Sequence, residues 1–195
     1  MSSRLDSNTA ASTSQAALAK LAARLQAHPF LNGLPKKHLF TLAEYANVTE
    51  FAAGEKIFRQ GDLANRFYLI LDGAIALEAA SLTGGSQVID RIGAGEVLGW
   101  SWMFPPFRWH FTARALVATQ AIFVYGTWLL ECCDTDPALG YELTKRMAGV
   151  AIGRLQSARS QLAGDANVAL RTRAAASPDS PVEATPPSGS TPSPD

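Results

Sequence analysis

Glycine interrupts the stretch from residue 54 to residue 99 every few residues, and the segments between the interruptions are short, apolar and rich in β-branched and aromatic side chains. Lys56-Ile57-Phe58-Arg59, Phe67-Tyr68-Leu69-Ile70-Leu71, Ala74-Ile75-Ala76-Leu77, Val88-Ile89-Asp90 and Ala121-Ile122-Phe123-Val124 are the clearest strand-like runs. Gln60-Gly61-Asp62, Asp72-Gly73, Gly84-Gly85 and Gly93-Ala94-Gly95 separate them as turn signals. Gly54, Gly61 and Gly73 are expected in tight turns, where positive φ excludes most side chains. Asp72-Gly73 between two apolar runs predicts a hairpin with a primed turn. Many short strands at regular spacing predict a mainly β domain, a jelly-roll-like β-roll over roughly residues 48–125.

Helical patterns flank this zone. Leu18, Leu21 and Leu25 share one stripe over residues 15–27, and Leu39, Leu42 and Ala43 repeat it over residues 36–46, with Pro35 suited to a first turn. After the roll, residues 127–133 predict a short helix. Asp136-Pro137 then opens a long one running to about residue 163. The ends differ in composition. Residues 1–14 lack apolar periodicity, and residues 164–195 are rich in Ala, Ser, Thr and Pro with no aromatic ring. Both are expected to be disordered, since they bury too little surface to offset ordering entropy. One folded domain over residues 15–163 follows, its last helix spanning about 137–163.

Seventeen basic and seventeen acidic residues balance to zero, which argues against non-specific nucleic-acid or membrane affinity. The only cysteines, Cys132 and Cys133, are adjacent and are expected as free thiols in a reducing cytoplasm. The longest apolar stretch, near residues 115–130, is broken by Thr119, Gln120, Gly126 and Thr127 and is too polar to cross a bilayer. His110 is the one histidine within the roll zone, and His28 and His38 precede it. That is too few ligands for a metal-bearing β-roll enzyme, so no metal, cofactor or catalytic activity is expected.

The order of helices, glycine-punctuated roll and long exit helix resembles the cyclic nucleotide-binding domain of catabolite-activator-type regulators, protein kinase regulatory subunits and cyclic-nucleotide-gated channels. Residues 54–62 are similar to that family's first strand and turn, and residues 67–77 to its central hairpin. Gly95-Glu96-Val97-Leu98-Gly99 falls where the family's phosphate-binding cassette begins. The resemblance spans about residues 28–163 and implies a regulatory sensor for a cyclic mononucleotide, cAMP or cGMP, or a related small anion. It also implies a site at Gly95, Glu96, Val97, Leu98, Arg108, Trp109 and His110. Backbone N–H groups of a glycine-led turn would face the phosphate. Glu96 would accept the ribose hydroxyl, and Arg108 would fork onto the phosphate oxygens.

The cassette departs from the family in being slightly longer and far more aromatic, with Trp100, Trp102, Phe104 and Phe107 before Arg108, and Trp109 where the family has a small residue. Two readings stay open: these rings stack on a planar ligand, or they fill the roll and leave a scaffold for protein interaction. The family's exit helix leads to a DNA-reading domain, which is not expected here, so direct DNA binding is not expected either. Met147, Ala151, Leu155, Ala158 and Leu162 form a narrow stripe on the exit helix, with Gly149 and Gly153 beside it. They predict a homodimer seam, and an unidentified protein partner would receive the signal.

Overall fold

The structure, a computed structural model, describes residues 3–80 and 84–175, with side chains over 15–80 and 84–160. Helix α1 (Ser3–Ala27) is followed by a 3-10 turn (Pro29–Leu31) and α2 (Lys36–Tyr45). Eight strands come next: β1 (Asn47–Phe51), β2 (Lys56–Phe58), β3 (Arg66–Asp72), β4 (Ala74–Ala80), β5 (Ser86–Gly93), β6 (Val97–Leu98), β7 (Thr112–Ala115) and β8 (Thr119–Tyr125). Helices α3 (Gly126–Thr135) and α4 (Pro137–Ala175) close the order. The strands form two antiparallel four-stranded sheets, β1-β8-β3-β6 and β2-β7-β4-β5. This is the β-roll expected from the glycine-separated runs.

Alternation along the strands divides the apolar side chains between two layers. Tyr68 and Ile70 of β3 point into the roll with Ile75, Leu77, Ile92, Leu98, Ala113 and Ala121, and Phe51, Ile57, Phe58 and Phe123 pack against that cluster. Phe67 faces the other way, its ring 5.5 Å from Phe30 and 6.2 Å from Trp102. The helices cover this outer layer: Ala22 and Leu25 of α1 and Leu39, Leu42 and Ala43 of α2 are buried.

Asp72-Gly73 is not a hairpin. β3 pairs with β6 and β8, whereas β4 pairs with β5 and β7, so the chain passes here from one sheet to the other. Gly73 alone of the two has positive φ, at +101°, and a Cβ on it would lie 2.7 Å from the Thr119 Cα and 2.8 Å from the Ala118 carbonyl. The glycine therefore serves a close crossing of two chain segments and not a primed turn.

Asp136 ends α3 and starts α4, its Oδ1 accepting from the Ala138 and Leu139 N–H groups at 3.2 Å each. Lys37 and His38 of α2 stand 3.5 and 3.1 Å from its other oxygen. Arg146 of α4 donates to the Phe30 and Asn32 carbonyls at 2.8 Å each, clasping the 3-10 turn.

The chain divides into two units, Met1–Gly149 with the roll and its helices, and Val150–Asp195. In the second unit α4 continues to Ala175, past the expected end near residue 163, and α1 starts at Ser3 within the stretch expected to lack structure. Residues 165–175 carry Ala, Leu and Arg and no proline. Propagating an existing helix through such residues costs little per residue. The rest of the expected disordered tail, residues 176–195, lies outside the described residues.

Candidate functional site

The Gly93–Glu96 turn is built from its own backbone and side chains. The Glu96 carboxylate accepts from the Gly93 N–H at 2.6 Å, and the Glu96 N–H donates to the Gly93 carbonyl at 3.2 Å. The Gly95 N–H donates to the Ile70 carbonyl at 2.8 Å, while the Ile70 N–H donates to the Glu96 carbonyl at 3.0 Å. Buried His28 reaches the same Ile70 carbonyl through Nε2 at 3.1 Å and accepts from the Phe30 N–H through Nδ1 at 3.3 Å. Burial lowers its pKa, partly offset by its backbone partners, so the ring is held neutral. Val97 and Leu98 are buried on β6, paired with Leu69 and Tyr68.

The second half of the expected site is anchored elsewhere. Residues 107–109 bridge to residues 61–64: the Ala64 N–H donates to the Phe107 carbonyl at 2.7 Å, the Trp109 N–H to the Asp62 carbonyl at 2.9 Å, and the Gly61 N–H to the Trp109 carbonyl at 2.8 Å. Exposed Arg108 donates through Nη1 to the Gly61 carbonyl at 2.7 Å. Exposed His110 sits 3.1 Å from the Ser101 hydroxyl. Glu96 is thus engaged within its own turn and Arg108 by the facing 61–64 segment.

Trp109 is the residue whose side chain enters the roll. It is 4% exposed, and its ring stacks on Phe58 at 3.9 Å with an 11° interplanar angle. Phe58 in turn lies 6.4 Å from Tyr68 of the inner cluster. Gly99, at φ +86°, makes room for the indole, since a Cβ there would lie 2.8 Å from the ring and 3.0 Å from the Arg66 carbonyl. Trp102 packs outward, against Phe67 and Gly126, with its indole N–H buried and unpartnered. Trp100 is 39% exposed. Of the three tryptophans between residues 100 and 109, one fills the roll, one fills the helical layer and one faces solvent.

Reading along the cassette misses a second constellation, carried by the strands. Arg66 opens β3 and pairs across the ladder with Tyr125, the last residue of β8. Its guanidinium lies 4.7 Å from the Phe123 ring centre and 5.6 Å from that of Tyr125. Burial acts to lower its pKa, but the Tyr68 and Tyr125 hydroxyls beside it outweigh that and raise it. Burial pushes the Tyr68 hydroxyl up, with Arg66 pulling the other way. The Arg66 Nε is buried with no hydrogen-bond partner. The signal that finds this group is the period-two reading of β3 and β8, which places residues 66 and 68, and 123 and 125, on one face. No group of three or more His, Cys, Asp or Glu capable of holding a metal occurs among the described residues, and none of the described helices is long and apolar enough to cross a membrane.

With both sheets, the cassette and the exit helix in place, the comparison with known proteins is direct. Residues 48–136 match the cyclic nucleotide-binding domain family. The chain is 33% identical over 75 residues to the cAMP-dependent protein kinase regulatory subunit of Schizosaccharomyces pombe, covering 38% of this chain and 17% of that one. It is 23% identical over 124 residues to the cyclic AMP receptor protein of Thermus thermophilus, covering 64% of this chain and 57% of that protein. The chain therefore spans less than two-thirds of either relative. A Geobacter metallireducens GS-15 protein assigned to cyclic nucleotide binding superposes with a TM-score of 0.63 at 25% identity, covering 69% of this chain and 97% of its own. The roll with its flanking helices is the architecture of these domains.

Proposed function

We propose that this chain is a non-catalytic regulatory module of the cyclic nucleotide-binding type whose roll is closed by its own Trp109, and that it acts through contacts with protein. The observation that carries this reading is the Trp109–Phe58 stack against Gly99. A planar ring held between an aromatic face and a glycine occupies the kind of slot a nucleotide needs. The Gly95 N–H and the Glu96 carboxylate, which a bound nucleotide would use, are taken up by Ile70 and Gly93. A chain with no net charge suits a protein partner better than DNA. Exposed Ile152 and Leu155 on α4 offer a seam to a second copy. The half-buried thiols of Cys132 and Cys133, whose pKa burial raises, suit the reducing cytoplasm.

A second reading is a sensor of cAMP or cGMP that relays through α4. The family match and the retained Arg108 favour it, because an indole leaving the roll would open the space between Phe58 and Gly99 next to the loop that carries that arginine. Isothermal titration with both cyclic nucleotides separates the two. The plugged module gives no saturable heat. Micromolar binding that disappears in Arg108→Ala establishes the sensor and overturns the plug.

A further inference from the structure

The segment between β6 and β7 carries an uncharged apolar surface outside the roll. No Asp, Glu, Lys or Arg occurs from Val97 to Phe107. The segment that sends Trp109 inward leaves Trp100, Phe104, Phe107 and Phe111 exposed, Phe104 by 52%. Leu63, 61% exposed, adjoins them, because it pairs with Arg108 and the neighbouring Ala64 N–H donates to the Phe107 carbonyl. Scattered exposed apolar side chains are ordinary, but five on two adjoining loops mark a contact surface. The backbone of this tip suits a medium with few hydrogen-bond partners. The Met103 N–H donates to the Trp100 carbonyl at 3.1 Å and the Phe107 N–H to the Phe104 carbonyl at 2.9 Å. Pro105 and Pro106 have no N–H to satisfy. From residue 103 to residue 107, at most the Phe104 N–H is left to find a partner. An unpaired amide costs little in water and much among lipid tails.

We infer that this aromatic tip, with Leu63, inserts into the surface of a phospholipid membrane. Protruding rings on two loops suit lipid tails, which mould to any shape, better than a protein, which needs a complementary surface. Trp100 belongs at headgroup level, where an indole is favoured, and Phe104 and Phe107 supply the apolar burial. Cations stand at the base of the tip. The Asp62 N–H donates to the Arg59 carbonyl in the turn facing residues 107–109, and Arg108 donates to the Gly61 carbonyl of that turn. Arg59 and Arg108 are both exposed and set toward lipid phosphates, against Asp62 as the acid of the same turn. The zero net charge of the chain removes long-range attraction to a membrane, while apolar insertion acts at contact and needs none. None of the described helices is long and apolar enough to cross a bilayer, so the contact is interfacial. Insertion uses side chains outside the roll and holds whether or not Trp109 fills the interior.

The test is cosedimentation of the full chain with vesicles of phosphatidylcholine, alone or mixed with phosphatidylglycerol, read together with tryptophan emission. Saturable binding to both is expected, about fivefold tighter on the anionic vesicles for a surplus of one positive charge. Emission is expected to shift to the blue as Trp100 leaves water. Phe104→Asp is expected to weaken binding to both vesicles by about tenfold or more, the loss of one inserted ring. Leu63→Asp repeats that loss from the neighbouring loop, so the result does not rest on the folding of one variant. Arg108→Gln is expected to lose the anionic preference and keep binding to phosphatidylcholine. Tyr141→Ser, which removes an exposed ring on α4 outside the tip, is expected to bind as the parent does. Absence of vesicle binding overturns the proposal, as does undiminished binding in both Phe104→Asp and Leu63→Asp, or an equal loss in Tyr141→Ser. Self-association that Phe104→Asp abolishes, without vesicle binding, assigns the tip to contacts between proteins and also overturns it. The plug is tested separately by cyclic nucleotide titration, so either reading can fail while the other stands.

Discussion

Trp109 is where one side chain decides between a receptive roll and a filled one. Removing its ring leaves a cavity between Phe58 and Gly99, and aromatic-to-alanine changes at buried sites cost about 3–5 kcal/mol. Trp109→Ala is therefore expected to lower the urea midpoint sharply, and an unchanged midpoint places the ring outside the core. His28 adds a pH dependence. Burial depresses its folded-state pKa below the ordinary 6.5, so below that pH the unfolded chain takes up a proton that the folded chain resists. This contribution to stability is full above about pH 6.5 and is lost as pH falls toward the depressed folded value. Denaturation at pH 7 and pH 5.5 is expected to show a loss in the parent that shrinks in His28→Gln. Equal losses remove His28 from the account.

At the scale of elements, the glycines separate turns that need only backbone freedom from crossings that also need space. Gly54 and Gly73 both have positive φ, but a Cβ on Gly54 meets open space while one on Gly73 runs into Thr119. Ala at either position carries the conformational cost, and at Gly73 the overpacking adds about 1–3 kcal/mol. Paired melts of Gly54→Ala and Gly73→Ala measure the difference, and equal destabilisation argues against a tight sheet-to-sheet crossing. The positions of β2, β3, β4, β5, β8 and α2, and the Asp136-Pro137 helix start, were legible in the sequence because apolar runs, glycine breaks and caps are local signals. β1, β6 and β7 are too short or too polar to stand out as apolar runs. The sheet switch at Gly73 was not legible, because Asp-Gly reads the same whether the next strand folds back or crosses over. The extended ends of α1 and α4 were missed because composition marked them as poor in core-forming residues, while propagation from a formed helix needs none.

For the whole molecule, the same limit governs the site. The candidate cassette, framed by Gly95 to Leu98 and Arg108 to His110, was read from residue order alone, but which of its rings enters the roll depends on strand register. Trp100, Trp102 and Trp109 look alike in sequence, and only pairing of residues 107–109 with residues 61–64 turns Trp109 inward. Relaying a signal from the roll needs an output surface, and α4 supplies the candidate. Leu155 is 54% exposed and Ile152 57% exposed, so a seam between two copies would bury both. Light scattering is expected to find a dimer in the parent and a monomer in Leu155→Lys. A monomeric parent removes the seam.

The occupancy of the roll is most directly read by nuclear Overhauser contacts between the Trp109 indole and the Phe58 ring in solution, recorded before and after millimolar cyclic AMP. A roll filled by its own side chain keeps those contacts, with unmoved indole resonances, in both spectra. Contacts that are missing in the free protein, or that vanish as the nucleotide saturates, contradict it.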